Sequence, residues 1–217
     1  MSNLVIIPTY NEKENIEKII HKVFSLENDF HILIVDDGSP DGTGDIVKSL
    51  QDKFEGLYIE ERTGKLGLGT AYIHGFKWAL KNKFNYVFEM DADLSHNPED
   101  IKRILEPMLE NNYDISIGSR YIKCINVVNW PLSRIILSYT ASLYVRFITR
   151  MKIKDSTSGY ICYKKSVLES IDLDNIKFTG YAFQIEMKYK SYLKNFKIIE
   201  VPIIFSDRKF GISKLNG

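Results

Sequence analysis

The first half of the chain alternates short apolar runs with amphipathic segments. Continuous apolar runs predict buried strands at residues 4–7, 32–35, 57–59, 86–90 and 115–117. Apolar residues at helical spacing predict helices at residues 14–24, 43–50, 67–80 and 98–109. Strands that alternate with helices favour parallel pairing. We therefore predict an α/β fold with a Rossmann-like, doubly wound, mostly parallel sheet that is flanked by helices.

The second half is less regular. Helices are predicted at residues 131–150 and 181–192, and a strand at residues 197–205, where Pro202 favours an edge or a bend. The first of these helices carries three arginines among aliphatic and aromatic residues, which suits either an interfacial or a core-facing helix. No repeat or linker divides the chain, so we expect a single domain over residues 1–217.

Composition narrows the class of protein. The 217 residues are 44% hydrophobic, which is enough for one packed domain. Lysine and arginine total 29 against 28 acidic residues, so no basic field favours nucleic acid. Two cysteines form no disulfide framework and suit a reducing cytosol. We expect no signal peptide, because the N-terminus leads directly into the strand-like run at residues 4–7. We also expect no transmembrane helix, because no uncharged run approaches the roughly 18 residues of a spanning segment.

Polar clusters follow the predicted strands at their carboxyl ends, where open parallel sheets bind ligands. The clusters lie at residues 9–12, 36–37, 91–93 and 119–120. Asp91 and Asp93 follow a buried run at a spacing of two, so strand alternation would point both carboxylates the same way. A hard divalent cation holding a diphosphate would stabilise them, and Ser95 could add a third oxygen. The alternative is a solvated turn before Pro98.

The first two clusters suit a nucleoside. Tyr10 can stack on a base, and Glu12 can bond a ribose or a base edge. Asp36 or Asp37 can accept from a base N–H or a ribose hydroxyl, as acidic residues after Rossmann strands do. The alternative is a plain turn with a helix cap. Residues 62–69 form a glycine-rich stretch that leads into the third predicted helix. Its backbone N–H groups and Lys65 could bind phosphate. Tight packing of the helix is an equal alternative explanation for the glycines.

Cations in the second half suit a second anion. Arg134 and Ser138 are four residues apart and share a helix face, and Arg120 follows the fifth strand. Phosphate is a natural partner for such arginines, and snorkelling to water is the alternative for Arg134. Polar clusters at residues 155–160 and 180–186 could bind sugar hydroxyls or cap secondary structure.

These motifs together resemble family 2 glycosyltransferases of the GT-A fold, and within them the polyprenol-phosphate (dolichol-phosphate) mannosyltransferases. The matching motifs are PTYNE (8–12), VDDGSPDGT (35–43), RTGKLGLGTA (62–71), DADLSHNPED (91–100), GSRY (118–121), DSTSGY (155–160), GYAFQIE (180–186) and RKFGISK (208–214). The resemblance implies a nucleotide-sugar-binding half over residues 1–120. It implies an acceptor-binding half over residues 121–217 that is short at its C-terminus, since relatives continue with further helical sequence.

The resemblance also implies roles for individual residues. Nucleotide-sugar contacts would come from Pro8, Tyr10, Glu12, Val35, Asp37, Lys65 and Ala92, with Arg208 and Lys214 closing over the phosphates. Mg²⁺ or Mn²⁺ would be held by Asp91, Asp93 and Ser95, and the acceptor phosphate by Arg120, Arg134 and Ser138. Some relatives carry glutamine at the position of Ser95. The catalytic set would be Asp91, Asp93, Arg120 and Arg134.

The implied activity is inverting transfer of mannose from GDP-mannose to a polyprenyl phosphate. The enzyme would be peripheral on the cytoplasmic side of a membrane, with any anchoring partner unknown. A phosphate monoester, with a second pKa of about 6, needs no base. A hydroxyl acceptor would need a carboxylate base, for which Asp155 is the nearest candidate. The alternatives are UDP-glucose or another nucleotide sugar, a hydroxyl acceptor in glycan or cell-envelope synthesis, and a nucleotide-sugar-binding or nucleotidyltransferase-like domain without transferase activity.

Overall fold

The computed structural model describes residues 2–26, 29–122 and 124–207. All five strands and four helices predicted for the first half form. The strands are β1 (Asn3–Thr9), β2 (Phe30–Asp36), β3 (Leu57–Glu61), β4 (Tyr86–Glu89) and β5 (Ile115–Ser119). The helices are α1 (Ile16–Phe24), α2 (Thr43–Gln51), α3 (Leu68–Lys81) and α4 (Asp100–Glu110). Helix α4 starts two residues after Pro98. The carbonyls of Asn97 and Pro98 accept from the N–H groups of Asp100 and Ile101, three residues on, so a tight turn precedes the helix.

The second half adds short elements around two long helices. These are β6 (Val127–Val128), α5 (Leu132–Thr149), β7 (Ile161–Lys164), α6 (Lys165–Ser170), a 3₁₀ turn (Leu173–Asn175), α7 (Tyr181–Leu193), β8 (Ile198–Pro202) and β9 (Phe205–Ser206). The sequence did not predict β7 and α6, since four to six residues are too short to show a period. The predicted strand at residues 197–205 is in fact two strands that are separated after Pro202.

The sheet confirms the predicted, mostly parallel fold. Its order is β3-β2-β1-β4-β7-β5-β8, with β6 and β9 forming a separate two-stranded ribbon. Strand β7 runs antiparallel to both β4 and β5. Its start therefore lies where its neighbours end. The polar residues 155–160 that precede β7 are in this way brought to the carboxyl edge of the sheet, next to the residues that follow β4 and β5.

The core lies on both faces of the sheet. One apolar cluster packs α1, α2 and α4 against one face, and a second packs α3, α6 and α7 against the other. Close helix packing accounts for glycines of α3. A Cβ on Gly75 would lie 2.7 Å from Ile6, and one on Gly69 would lie 2.9 Å from the Phe183 ring. Tight packing thus explains the end of the glycine-rich stretch.

Helix α5 lies apart from these layers. Only Ser142 is buried within it. Large side chains along the helix are exposed at Leu132, Ile136, Leu137, Tyr139, Leu143, Tyr144, Phe147 and Ile148. The core-facing interpretation of this helix is therefore wrong. Among the residues that the structure describes, no helix combines the length and the hydropathy needed to cross a bilayer.

Candidate active site

A pocket of about 280 Å³ lies at the carboxyl ends of β1, β2 and β4. The start of α3 and the residues just before α7, Thr179 and Gly180, close its other side. Residues that the sequence assigned to the donor and the metal line this pocket together: Pro8, Tyr10, Glu12, Asp37, Lys65, Asp91, Ala92 and Asp93. The predicted convergence of strand ends on one site is present in the structure.

The two aspartates lie in a turn beyond β4. Because the strand ends two residues before Asp91, strand alternation does not orient Asp91 and Asp93, and that part of the reasoning was wrong. The turn itself directs them to the pocket. The Ser95 N–H donates to Asp93 Oδ1 at 3.0 Å, and the Tyr72 hydroxyl donates to Asp91 Oδ1 at 3.4 Å. Leu94 has φ +61°, a left-handed conformation that bulky residues rarely adopt, so the turn is strained.

The oxygens of this turn suit a hard divalent cation. Asp91 is partly exposed and Asp93 is buried, and both line the pocket. Ser95 Oγ is buried and has no hydrogen-bond partner among the described residues. Carboxylate and neutral oxygen donors are the ligands that Mg²⁺ and Mn²⁺ favour. Ser95 itself does not line the pocket, so the two carboxylates are the part of the predicted metal site that faces it.

His96 supports the turn from behind. Its Nδ1 accepts from the Asp91 backbone N–H at 3.2 Å. The ring stacks on Tyr160 with 4.6 Å between centroids and meets Phe205 edge-on at 5.4 Å. Burial lowers the pKa of His96 to about 4, against the opposing charge of Asp93, so the ring is neutral. We therefore interpret the 4.0 Å approach of Nδ1 to Asp91 Oδ2 as a packing contact, not an ion pair.

Asp37 lines the pocket, but its carboxylate already has partners. Arg62 Nε donates to Asp37 Oδ1 at 2.7 Å, and the Leu66 N–H donates to Oδ2 at 3.2 Å. These bonds hold the glycine-rich stretch against the turn after β2. The same stretch places the Lys65 ammonium 5.5 Å from the centroid of the Tyr10 ring. Asp37 thus holds the stretch that carries Lys65 next to the Tyr10 ring, where the sequence predicted the nucleoside.

The other residues of the first two clusters divide between turn and pocket. Asp36 accepts from the hydroxyls of Thr9 at 2.7 Å and Ser39 at 2.6 Å. It therefore stabilises the turn after β2, as the alternative interpretation of this cluster predicted. Glu12 is buried at the pocket wall and accepts from Asn15 Nδ2 at 2.9 Å. Of the two expected acidic residues after β2, only Asp37 lines the pocket.

Arg120 is buried against a carboxylate. Its Nε and Nη2 donate to the two oxygens of Asp155 at 2.7 and 2.6 Å, and its backbone N–H donates to the same side chain at 2.9 Å. Nη2 also donates to Thr157 Oγ1 at 2.9 Å. Burial alone lowers the pKa of Arg120, but its hydrogen bonds to the Asp155 carboxylate, and the negative charge of that carboxylate, raise the pKa on balance. The carboxylate that the sequence offered as the nearest base is thus committed to this arginine.

Arg134 is different, because its side chain is 43% exposed. Its guanidinium carbon lies 4.0 Å from the centroid of the Trp130 ring, and Nη1 donates to Asp207 at 3.0 Å. The guanidinium carbon of Arg120 lies 5.5 Å from the same ring. Trp130 thus contacts both arginines. Ser138 lies one turn further along α5, and its hydroxyl accepts from the Tyr121 hydroxyl at 2.9 Å.

The polar clusters of the second half act mainly as internal supports. Lys188 Nζ donates to the carbonyls of Ser156 at 3.0 Å and Ser158 at 2.7 Å. Gln184 donates to the buried Glu89. These contacts support the loop before β7 and the end of β4, and the sugar-hydroxyl role that the sequence left open for the two clusters stays a prediction. Gly180, the first residue of the second cluster, lines the pocket directly.

One predicted nucleotide-sugar contact lies away from the pocket, and two others fall outside the described part of the chain. Val35 is fully buried in the core and does not line the pocket. Arg208 and Lys214 lie outside the described residues. Conversely, sequence reasoning missed His96 and Trp130. His96 lies inside a recognised motif, but nothing in a linear pattern shows which backbone N–H its ring accepts, and the contact of Trp130 with both arginines depends on tertiary packing.

An open α/β sheet with paired carboxylates in a pocket at its ligand-binding edge is typical of enzymes that act on nucleotide-linked substrates. The chain belongs to glycosyl transferase family 2, whose family model matches residues 4–172. It is thus a glycosyltransferase, as the motifs indicated.

Curated relatives match nearly the whole chain. A polyprenol monophosphomannose synthase of Mycolicibacterium smegmatis is 45% identical over 99% of this chain and 81% of its own length. An undecaprenyl-phosphate mannosyltransferase of Micrococcus luteus is 41% identical over 100% of this chain and 88% of its own length. The predicted resemblance to polyprenol-phosphate mannosyltransferases is confirmed.

Solved structures confirm the GT-A fold. Glucosyl-3-phosphoglycerate synthase from Mycobacterium tuberculosis, in complex with phosphoglyceric acid, matches 98% of this chain and 72% of its own with a TM-score of 0.72 at 15% identity. Mannosyltransferase PcManGT from Pyrobaculum calidifontis, in complex with GDP-Man and Mn²⁺, matches 95% of this chain and 56% of its own with a TM-score of 0.64 at 17% identity.

Proposed function

We propose that this enzyme transfers mannose from GDP-mannose to a polyprenyl phosphate and yields β-linked polyprenyl phosphate mannose. The names of the two curated relatives, both above 40% identity, support mannosyl transfer to a lipid phosphate. GDP-mannose as the donor is supported by a structural neighbour that binds GDP-Man with Mn²⁺, and this protein shares only the fold with the chain. A single in-line displacement would invert the configuration of an α-linked donor.

The hydrogen bonds between Asp155 and Arg120 are the observation that supports a phosphate acceptor. A hydroxyl acceptor needs a carboxylate to take its proton. Asp155 is fully buried and accepts three hydrogen bonds from Arg120. A phosphate monoester is already anionic above a pKa of about 6, so it needs cations to orient it and no base. The arrangement therefore favours phosphate over hydroxyl.

The donor would occupy the pocket at the sheet edge. We assign Tyr10 and Glu12 to the nucleoside, and Asp91 with Asp93 to a divalent ion, Mg²⁺ or Mn²⁺, and the sugar diphosphate. When bound, such an ion stabilises the negative charge that develops on the leaving diphosphate. Lys65, which borders the same pocket, adds a cation on the protein's side. These side chains would hold the donor with its anomeric carbon facing the acceptor.

The acceptor phosphate would approach over Trp130. We assign its first contact to Arg134, which is exposed at the start of α5 and held by the Trp130 ring and Asp207. Arg120 would contribute mainly its charge and the position of Trp130, because Asp155 occupies much of its hydrogen-bonding capacity. Ser138 lies on the same face of α5 and would add a hydroxyl.

We further propose that α5 lies in the surface of a membrane on its cytoplasmic side. A polyprenyl phosphate places its headgroup at the interface of the bilayer, so the enzyme must reach it there. The exposed aliphatic and aromatic residues of α5, with Arg134 and Arg146 beside them, suit an interfacial helix. The enzyme would then be peripheral.

Label transfer tests the donor and the acceptor class together. Radiolabelled GDP-mannose and UDP-glucose are each incubated with Mg²⁺ and a short-chain polyprenyl phosphate, and label is counted after extraction into organic solvent. Extraction of label from GDP-mannose alone is expected. Label from UDP-glucose alone would overturn the donor assignment. If the enzyme binds nucleotide but no label enters the organic phase, the assignment of polyprenyl phosphate as the acceptor is overturned.

A further inference from the structure

His96 joins two parts of the site that are far apart in sequence. Its Nδ1 accepts the backbone N–H of Asp91 at 3.2 Å. Its ring is 2% exposed and is held between Tyr160, on which it stacks, and Phe205, which it meets edge-on. The Tyr160 hydroxyl in turn donates to the carbonyl of Asn97 at 2.9 Å. The ring therefore has one packed position, and that position sets where the Asp91 N–H lies.

The same contacts continue to the arginine cluster. Phe205 meets Trp130 with 5.3 Å between ring centroids, and Trp130 carries the guanidinium of Arg134 at 4.0 Å. Aromatic contacts thus connect His96, next to the aspartate turn, with the cation that we assign to the acceptor phosphate. The turn and the arginine share one supporting layer.

We propose that His96 is a positioning residue that fixes Asp91 and Asp93 for metal and diphosphate binding by accepting the Asp91 backbone N–H. The strained turn makes such support necessary. Leu94 keeps a positive φ only if its surroundings hold it there. A turn that lost its acceptor at Asp91 would relax, and the two carboxylates would no longer be directed together. The inference rests on the proposed function, since it assigns a metal to this turn.

Two substitutions separate the acceptor from the packing of the ring. His96→Phe keeps an aromatic ring on Tyr160 and removes the acceptor. His96→Asn loses the ring and keeps an oxygen at the position of Nδ1. The readout is the dissociation constant for Mn²⁺ in the presence of GDP, followed by the electron paramagnetic resonance signal of free Mn²⁺, on the full chain without lipid or sugar. Melting temperatures ensure that each variant is folded at the temperature of the titration.

If the hydrogen bond positions the turn, His96→Phe weakens Mn²⁺ binding about 10- to 100-fold while its melting temperature stays near that of the wild type. His96→Asn binds Mn²⁺ within about threefold of the wild type, although loss of the stacked ring lowers its melting temperature. Wild-type Mn²⁺ affinity in His96→Phe would overturn the proposal, and this variant decides alone if His96→Asn does not fold. Equal weakening in both variants would also overturn it.

The titration is independent of the proposed transfer reaction. A wild-type chain that binds Mn²⁺ with GDP but moves no mannose to lipid would refute the proposed acceptor or sugar and leave the role of His96 standing. A wild-type chain that binds no Mn²⁺ with GDP would overturn the metal assignment and the role of His96 with it.

Discussion

At the scale of single residues, burial distinguishes side chains that look equivalent in sequence. Arg120 and Arg134 both suit a phosphate by residue type. Arg120 is buried in a two-point ion pair with Asp155, whereas Arg134 is 43% exposed and its guanidinium carbon lies 4.0 Å from the centroid of the Trp130 ring. The carboxylate partner of Arg120 is fully buried, whereas Asp207, the partner of Arg134, lies at the surface. Their substitutions should therefore fail in different ways.

Arg134→Ala should lose acceptor turnover without losing the donor. A charge-assisted hydrogen bond contributes about 1.5–3 kcal/mol, so kcat/KM for the lipid phosphate should fall about 10- to 100-fold. The dissociation constant for GDP, measured by calorimetry, should stay within about twofold of the wild type. Arg146→Ala is the matched control, because it removes the same charge from the same helix three turns later. Equal losses in both variants would contradict the role of Arg134.

Asp155→Asn should act on stability first. It leaves the Arg120 charge buried without its carboxylate, which typically costs about 3–5 kcal/mol. Urea denaturation followed by circular dichroism measures this loss. Asp174→Asn is the comparison, since that side chain is 81% exposed and its loss should change stability by less than about 1 kcal/mol. Similar unfolding midpoints for both variants would show that the buried pair is not structural.

At the scale of elements, helix α5 departs from the rest of the fold. Every other long helix buries an apolar face against the sheet, while α5 exposes its large apolar side chains. Phe147 is 82% exposed and Leu137 is 71% exposed. Such a surface on a helix that also carries Arg134 is consistent with a membrane interface next to the acceptor phosphate.

A charge placed on this surface should separate membrane binding from folding. Leu137→Glu adds a carboxylate where a bilayer would be, so sedimentation with anionic phospholipid vesicles should fall at least about tenfold. The melting temperature should change little, because the side chain packs against almost nothing. Leu193→Glu, at an exposed position on the far end of α7, should bind vesicles as the wild type does. Unchanged binding by Leu137→Glu would rule out α5 as the membrane contact.

At the scale of the whole molecule, polar groups inside the core link stability to pH. Burial raises the pKa of Glu89 to about 8 from its ordinary 4.5, against the opposing hydrogen bond from Gln184. The folded chain thus keeps this proton up to about pH 8, and the unfolded chain releases it near 4.5. The folded chain binds more protons between those values, so this group's contribution to stability falls as the pH rises through that window.

Glu89→Gln should remove this dependence. The free energy of unfolding of the wild type minus that of the variant should fall from pH 5 to pH 8, with a slope of at most about 1.4 kcal/mol per pH unit. Lys188, whose pKa burial lowers to about 8, changes stability only above that window. Urea denaturation at several pH values gives the two profiles. Parallel profiles would mean that Glu89 is ionised in the folded chain throughout.

The sequence predicted most of the residues that line the pocket at the sheet edge, and their role in donor binding stays a prediction. Strand ends in an alternating α/β pattern must meet at one edge, so local motifs such as that around Tyr10 and that at Asp91 and Asp93 could be placed together without coordinates. It did not find the antiparallel strand β7, which is too short for a periodic signal. The sequence also did not predict the partner of Arg120. Asp155 is 35 residues away, and it lies beside Arg120 because β7, which follows it, pairs antiparallel with β5.

Acceptor choice tests the central claim most directly, since it asks whether the site uses a phosphate. Wild-type enzyme is given labelled GDP-mannose with either a short-chain polyprenyl phosphate or the matching polyprenol, which differs only by the phosphate. We expect label in the lipid phase with the phosphate and none above background with the alcohol. Comparable transfer to the polyprenol would contradict the account, because it would require a base that the buried ion pair of Asp155 and Arg120 does not provide.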